Sequence, residues 1–342
     1  FSFIKKSVLP FIQQSDGSFI KGKLTYIYQH EGLEIENIYP GQFDKDGKLD
    51  LSIVFSSQFV AFYKGIGIGE FIFHSEYEIP FGNDLISTSA DLDSDGSLDI
   101  IVAPNFFAAN RLSFFIFSND NENNNEFPFT TKFQLLHFKN VLKSFTEKGK
   151  LKTLDQIAIG NFNNDHLKDI LLLDKTYNRV LTLTSDSHEK YQPSAILNVP
   201  FKIYSLSVVE LNDDKIDDIV ISPLDTKDAK YSHLYLSNKE QFQLFQKVLT
   251  GPKITNVTRG RFIFGQDYQL AFSSELTDQV YLYQQLLSNQ LSYGPIISFP
   301  IPSTPGKLNT KDMNADGYND ILVTGRNYLK SNIKLFQNIT ID

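Results

Sequence analysis

Cysteine is absent from the 342 residues, which removes disulfides, zinc–thiolate sites and cysteine nucleophiles together. No run of 18 apolar residues occurs, so no helical membrane span is expected. There is no HExxH pair, no GxSxG elbow and no dense Lys/Arg stripe, which leaves zincin, hydrolase and nucleic-acid readings without a motif. The six histidines, His30, His74, His137, His166, His188 and His233, stand in unrelated contexts. Long helical periodicity is nearly missing. Lack of cysteine suits an exported bacterial protein or a chain made rigid by metal, and by itself names no compartment. The sequence opens at Phe1, without Met or a signal peptide, and is expected to be a processed form.

What is present is a repeat. Six times a short acidic loop is followed by a run of β-branched and aliphatic residues, at 41–54, 90–102, 160–173, 209–221, 260–272 and 311–323. The apolar residues Phe43, Leu92, Phe162, Leu211, Phe262 and Met313 mark the copies, with spacings of 49, 70, 49, 51 and 51. A period near fifty predicts one four-stranded sheet per repeat, the unit of a β-propeller blade. After the second loop, strands are expected at 100–102, 112–117 and 130–138. After the fourth they are expected at 219–222, 231–236 and 242–249, with 254–259 leading into the next loop. These runs are rich in Val, Ile, Phe, Tyr and Thr and are bounded by Gly, Pro, Asn or Asp. The fold class is therefore all-β, a propeller of four-stranded blades with six motif-bearing repeats, in one domain spanning 1–342.

The loops point to calcium, which takes six to eight hard oxygens and suits a loop with side-chain oxygens at positions 1, 3, 5 and 9 and a carbonyl at 7. The second copy offers Asp91, Asp93, Asp95, the Ser97 carbonyl and Asp99, with Gly96 free to take positive φ. The sixth offers Asp312, Asn314, Asp316, the Tyr318 carbonyl and Asp320. The first offers Gln42, Asp44, Asp46, the Lys48 carbonyl and Asp50. The third and fourth keep the oxygens, from Asn161, Asn163, Asp165, the Leu167 carbonyl and Asp169, and from Glu210, Asn212, Asp214, the Ile216 carbonyl and Asp218. They place His166 and Lys215 where the others have glycine, which implies weaker binding. The fifth puts Arg261, Ile263, Gly265 and Gln269 at the ligand places, so up to five Ca²⁺ sites are expected and none there.

One such loop alone is as readily a solvated turn; five in register before a strand are not. An EF-hand is excluded, because its twelfth position needs a bidentate Glu before a helix, and Val102 and Val323 stand there inside strand-like runs. The ligand positions hold fifteen of the 40 acidic residues, so the formal charge of −8 is mostly metal site and says nothing for or against a nucleic-acid or membrane partner.

On these residues the chain resembles the FG-GAP/VCBS repeats of integrin α-subunit heads and of T-cell immunomodulatory protein-like propellers, from about residue 36 to about residue 338. The resemblance implies that each calcium loop joins the innermost strand of a blade to its second, and that the opposite face and rim bind partners. It favours seven blades, the seventh degenerate, whereas the residue arithmetic favours six. The departures are the missing glycines of copies three and four, the lost ligands of copy five and the absence of cysteine.

Only two strands are expected after the last loop, at 321–324 and 332–339, so an N-terminal strand from 1–10 or 19–29 is expected to close the last blade. Two insertions break the repeat. Residues 118–127 are a polar low-complexity loop, and residues 139–155 suit a short amphipathic helix through Val141, Leu142 and Phe145. Sequons stand at Asn256-Val-Thr258 and Asn338-Ile-Thr340. The expected function is a calcium-stabilised extracellular, cell-surface or periplasmic adhesion module. It would serve a protein or glycan partner, within a larger surface assembly, and without a membrane span or nucleic acid. The alternative is a propeller-type polysaccharide lyase using Ca²⁺ with Tyr, Lys or Arg.

Overall fold

The computed structural model describes residues 6–14, 18–27, 33–56, 59–80, 84–105, 111–118, 130–137, 153–186, 190–224, 229–238, 241–263, 267–286, 292–301, 304–326 and 331–337. Twenty-seven strands are present and no helix is found among the described residues. Short N-terminal strands β1 (Lys6–Val8), β2 (Phe11–Gln13), β3 (Phe19–Lys21) and β4 (Thr25–Ile27) pair as β1-β4 and β2-β3. The first motif-bearing sheet is β5 (Ile35–Gly41), β6 (Asp50–Phe55), β7 (Phe59–Gly67) and β8 (Glu70–Glu78). The second is β9 (Leu85–Ala90), β10 (Asp99–Pro104), β11 (Arg111–Ser118) and β12 (Thr130–His137). The third is β13 (Gln156–Gly160), β14 (Asp169–Asp174), β15 (Arg179–Ser185) and β16 (Tyr191–Asn198). The fourth is β17 (Ile203–Val209), β18 (Asp218–Pro223), β19 (Tyr231–Asn238) and β20 (Gln241–Leu249). The fifth is β21 (Ile254–Gly260), β22 (Gln269–Ser274), β23 (Gln279–Gln285) and β24 (Tyr293–Pro300). The sixth has three described strands, β25 (Thr304–Lys311), β26 (Asp320–Arg326) and β27 (Ser331–Phe336).

Each sheet is an antiparallel meander in chain order, the blade of a β-propeller. The strands expected after the second and fourth loops all form, as β10 to β12 and β18 to β21. No described N-terminal residue pairs with the sheet of β25–β27; residues 1–5 and 28–29 of the expected closing segments lie outside the described residues. So do 119–127 and 139–152, which hold nearly all of both expected insertions, and Asn338–Thr340. Asn256 lies inside β21 and pairs with Ser273, where a surface loop is the usual place for a glycan acceptor.

The second strand of each blade explains the apolar runs. β6, β10, β14, β18 and β22 are buried at every residue, so both faces carry aliphatic side chains and the two-residue alternation disappears. Fourth strands such as β20 and β24 keep all but one residue exposed or half-exposed. The chain divides into two compact units, residues 1–157 with 185–193, and 158–184 with 194–342. In the first, Phe43, Val54, Phe62, Ile100, Val102 and Phe117 form a core between two sheets, and Phe62 meets Phe43 edge-on at 5.8 Å. Ile27 of β4 joins Leu51, Ile53 and Tyr63 in a second cluster. In the second unit three clusters repeat the plan, with Phe162, Leu211 and Phe262 at corresponding places. The marker residues Phe43, Phe162, Leu211 and Phe262 are thus plugs between sheets; burying each phenylalanine stabilises by about 1.5–3 kcal/mol. Met313 is the partly exposed member of the series.

Candidate metal centres

Every acidic loop connects the first strand of a blade to the second, as the repeat resemblance implies. Loop position 9 is the first residue of the second strand and is buried in all six copies: Asp50, Asp99, Asp169, Asp218, Gln269 and Asp320. Its side chain closes the loop by accepting the position-2 amide. Phe43, Leu92, Phe162, Leu211 and Met313 donate to Oδ2 of their aspartate at 2.7–3.0 Å, and Phe262 donates to Oε1 of Gln269 at 2.8 Å. In two blades the other carboxylate oxygen also accepts a third-strand amide, Gly65 to Asp50 at 2.8 Å and Ser237 to Asp218 at 2.7 Å. Sequence reasoning treats position 9 as a ligand only. The structure shows it also as the bracket between loop and blade, which is why the fifth copy keeps an acceptor there without a charge.

Within the loops, position-5 side chains accept the amide two residues on, as in Ser97 to Asp95 at 2.7 Å and Tyr318 to Asp316 at 2.8 Å. Position-1 side chains of the glycine-bearing loops accept the glycine amide: Gly47 to Gln42 at 3.2 Å, Gly96 to Asp91 at 3.0 Å and Gly317 to Asp312 at 2.8 Å. Those glycines have φ of 82°, 88° and 86°, and His166 and Lys215 take the same left-handed turn at 67° and 68°. The expected cost at copies three and four is therefore incurred, because the loop holds its shape without glycine. There Asn161 caps the amide of Asn164 and Glu210 that of Asn212. Position 4 is also left-handed, at Lys45, Ser94, Asn164, Asp213 and Ala315, with φ of 60–64°. Nothing in those side chains, apart from Asn164 and Asp213, signals it beforehand.

The oxygens converge. Asp44, Asp46 and Asp50, and likewise Asp91, Asp93 and Asp99, each bring one carboxylate oxygen within 4.8 Å of the others. The Lys48 carbonyl faces the first loop's interior, where it accepts Nε2 of Gln42 at 2.6 Å. Burial pushes Asp50 up to about 6 and Asp218 up to about 7, with neighbouring loop carboxylates adding to the shift, and it raises Asp320 as well. Ionising these buried carboxylates beside one another is therefore costly, and a hard divalent cation would offset that cost. The donor set fits calcium: the five oxygens named for each of loops one, two, three, four and six would hold it, and the ion would supply charge neutralisation and cross-linking of the turn. In loops three, four and six the Nδ2 of Asn163, Asn212 and Asn314 donates to the position-5 aspartate at 2.7–2.8 Å. The fifth loop offers no such set, with Ile263 buried and Arg261 stacked on Tyr318 at 5.1 Å.

Neighbouring blades are stitched at these loops. The residue before position 9 donates its amide to the position-1 carbonyl of the preceding loop: Leu98 to Gln42, Asp217 to Asn161 and Asn319 to Arg261, each at 2.7 Å.

The fold and the loops together define a repeat propeller with acidic turns at equivalent places. Residues 42–102, which span the first two loops, match the family described as FG-GAP-like repeat, and the same loop and strand unit recurs in three further copies plus one without acidic ligands; the fold is a β-propeller that carries FG-GAP-like repeat sequence. No curated protein matches it. Among solved structures, the chain is similar to BBS1N crystallised in complex with ARL6DN and soaked with lead, at 13% identity and a TM-score of 0.52, over 84% of this chain and 75% of that one. A mercury-soaked crystal of the same complex gives 10% identity and a TM-score of 0.53, over 93% and 85%. A chain of a humanised mutant of the Chaetomium thermophilum Polycomb Repressive Complex 2, bound to the inhibitor GSK126, gives 8% identity and a TM-score of 0.55, over 89% and 67%. At such identities the likeness is one of fold.

Proposed function

We propose that this chain is a calcium-stabilised extracellular, cell-surface or periplasmic propeller that serves as a non-catalytic binding module for a protein or glycan partner. The observation that carries the reading is the recurrence of one oxygen-lined turn, with the same two left-handed residues, in five of six blades. Such turns stiffen a scaffold whose rims are free to vary, and recognition gathers on loops over rigid supports. The similar BBS1N propeller is seen bound to ARL6DN, which favours a protein partner. A groove of about 530 Å³ in the second unit is lined by Tyr231, Gln246, Tyr281, Tyr283, Tyr293 and Ile297 among others. The hydroxyls of Tyr283 and Tyr293 donate to the carbonyls of Leu249 and Leu211, and burial pushes both phenols up to about 12. That chemistry favours contact over proton transfer.

The test is calcium titration of the full chain by calorimetry, followed by pull-down from native membranes with and without the ion. Saturable calcium uptake and calcium-dependent capture of one protein or sugar support the reading. No uptake refutes it, and turnover of an acidic polysaccharide by the purified chain refutes the non-catalytic part.

A further inference from the structure

In the first and fourth acidic loops a neighbouring strand supplies a cation to the ligand side chains. In the first, Lys64 of β7 places Nζ 2.5 Å from Oδ2 of Asp44 and 3.4 Å from Oδ2 of Asp46. Those are two of the three carboxylates that converge there. Its side chain is 28% exposed and that of Asp44 is fully buried, so the pair lies at the inner wall of the loop. In the fourth, Arg259 of β21 reaches back from the next blade. Its guanidinium bonds Glu210, the position-1 ligand, and Asp213 at 2.5 Å. Tyr268 stacks on the guanidinium at 4.4 Å, which holds it in place.

The second loop differs. Lys45 bonds Asp95 at 2.7 Å from a side chain that is 39% exposed, and Asp95 stands outside the convergent set of Asp91, Asp93 and Asp99.

We infer that Lys64 and Arg259 are tethered counter-ions that hold the first and fourth loops in folded shape without metal and oppose calcium there. This rests on the calcium reading above and adds two residues that compete with the ion. An ammonium about 3 Å from the ligand oxygens competes for them, and its charge opposes a divalent ion held there. At about 4 Å in a water-like dielectric, the repulsion between single and double charges corresponds to roughly thirtyfold in affinity. Because Lys64 can swing outward, about tenfold is expected.

The experiment titrates calcium into the full chain against a chelating dye, for wild type, Lys64→Met, Arg259→Met and a control, Lys23→Met. Lys23 pairs with Glu70 away from every loop, so the control removes the same charge without touching a site. Lys64→Met and Arg259→Met are each expected to add one tight site or to tighten one weak site about tenfold. Each is also expected to melt lower than wild type in chelator and to recover in calcium. A variant that does not fold in chelator is titrated from the ion-loaded state by adding chelator. Unchanged stoichiometry and affinity in both variants, with calcium still bound by wild type, overturns the inference alone. Equal tightening in Lys23→Met overturns it too, since bulk charge would then be the cause. No calcium bound by any form refutes the calcium reading, and the inference with it.

Discussion

Calcium removal should lower the melting temperature by an amount that the structure sets. An ion bound only by the folded state adds about 2.7 kcal/mol per site when its free concentration is a hundred times its Kd. At about 2.1 cal/mol/K per residue, unfolding 342 residues carries an entropy of about 0.7 kcal/mol/K. Each occupied loop then moves the midpoint by about 4 °C. With loops two, three and six occupied, chelation of a calcium-saturated sample is expected to cost about 10 °C. Loops one and four add less, because Lys64 and Arg259 remain when the ion leaves. Thermal melts followed by far-ultraviolet circular dichroism, in millimolar calcium, magnesium or chelator, measure this directly. Magnesium should resemble chelator, since it prefers a tight octahedral site with retained waters. Midpoints within about 1 °C of one another in calcium and chelator would refute a structural role for the loops.

Three further outcomes are expected. Gln269→Ala leaves the buried amides of Phe262 and Ile263, now 2.8 and 3.3 Å from Oε1, without that acceptor; it should cost about 1–3 kcal/mol in denaturant unfolding, equally with and without calcium, and a calcium-dependent loss would contradict the bracket role. His166→Gly relieves a left-handed residue at φ 67° and should stabilise by about 1 kcal/mol, whereas a loss in denaturant midpoint would show that the side chain contributes more than the strain costs. The gap between calcium and chelator midpoints should widen from pH 5 to pH 8. Asp50 and Asp218, raised to about 6 and 7, bind protons more tightly folded than unfolded, so the stability this gives the ion-free protein is complete below about pH 4 and disappears as pH rises through 6 to 7. Calcium binds the ionised form and restores it; a gap constant across that range would count against these groups.

Much of the blade plan is legible in composition and spacing. The fourth repeat's strands fall within one or two residues of their expected ends, because β18 to β21 are bounded by turn residues that no strand accommodates. Ligand positions are legible because local loop chemistry repeats in register. The left-handed turn at position 4 was not, since Lys45, Ser94 and Ala315 have no intrinsic preference for it and adopt it only because the loop's hydrogen bonds enforce it. Nor was the second use of position 9, which depends on amides from a strand not yet reached in sequence, such as Gly65 for Asp50.

The sequence by itself determined the all-β class, the fifty-residue period and the oxygen donors of each turn, because hydrophobic patterning and turn chemistry act over a few neighbouring residues. Tertiary structure alone decided that Lys64 and Arg259 meet the carboxylates of the first and fourth turns. Lys64 is 20 residues from Asp44, and Arg259 is 49 from Glu210; each is brought home by strand pairing or blade stacking, and charges so far apart in the chain interact only once the sheets have formed.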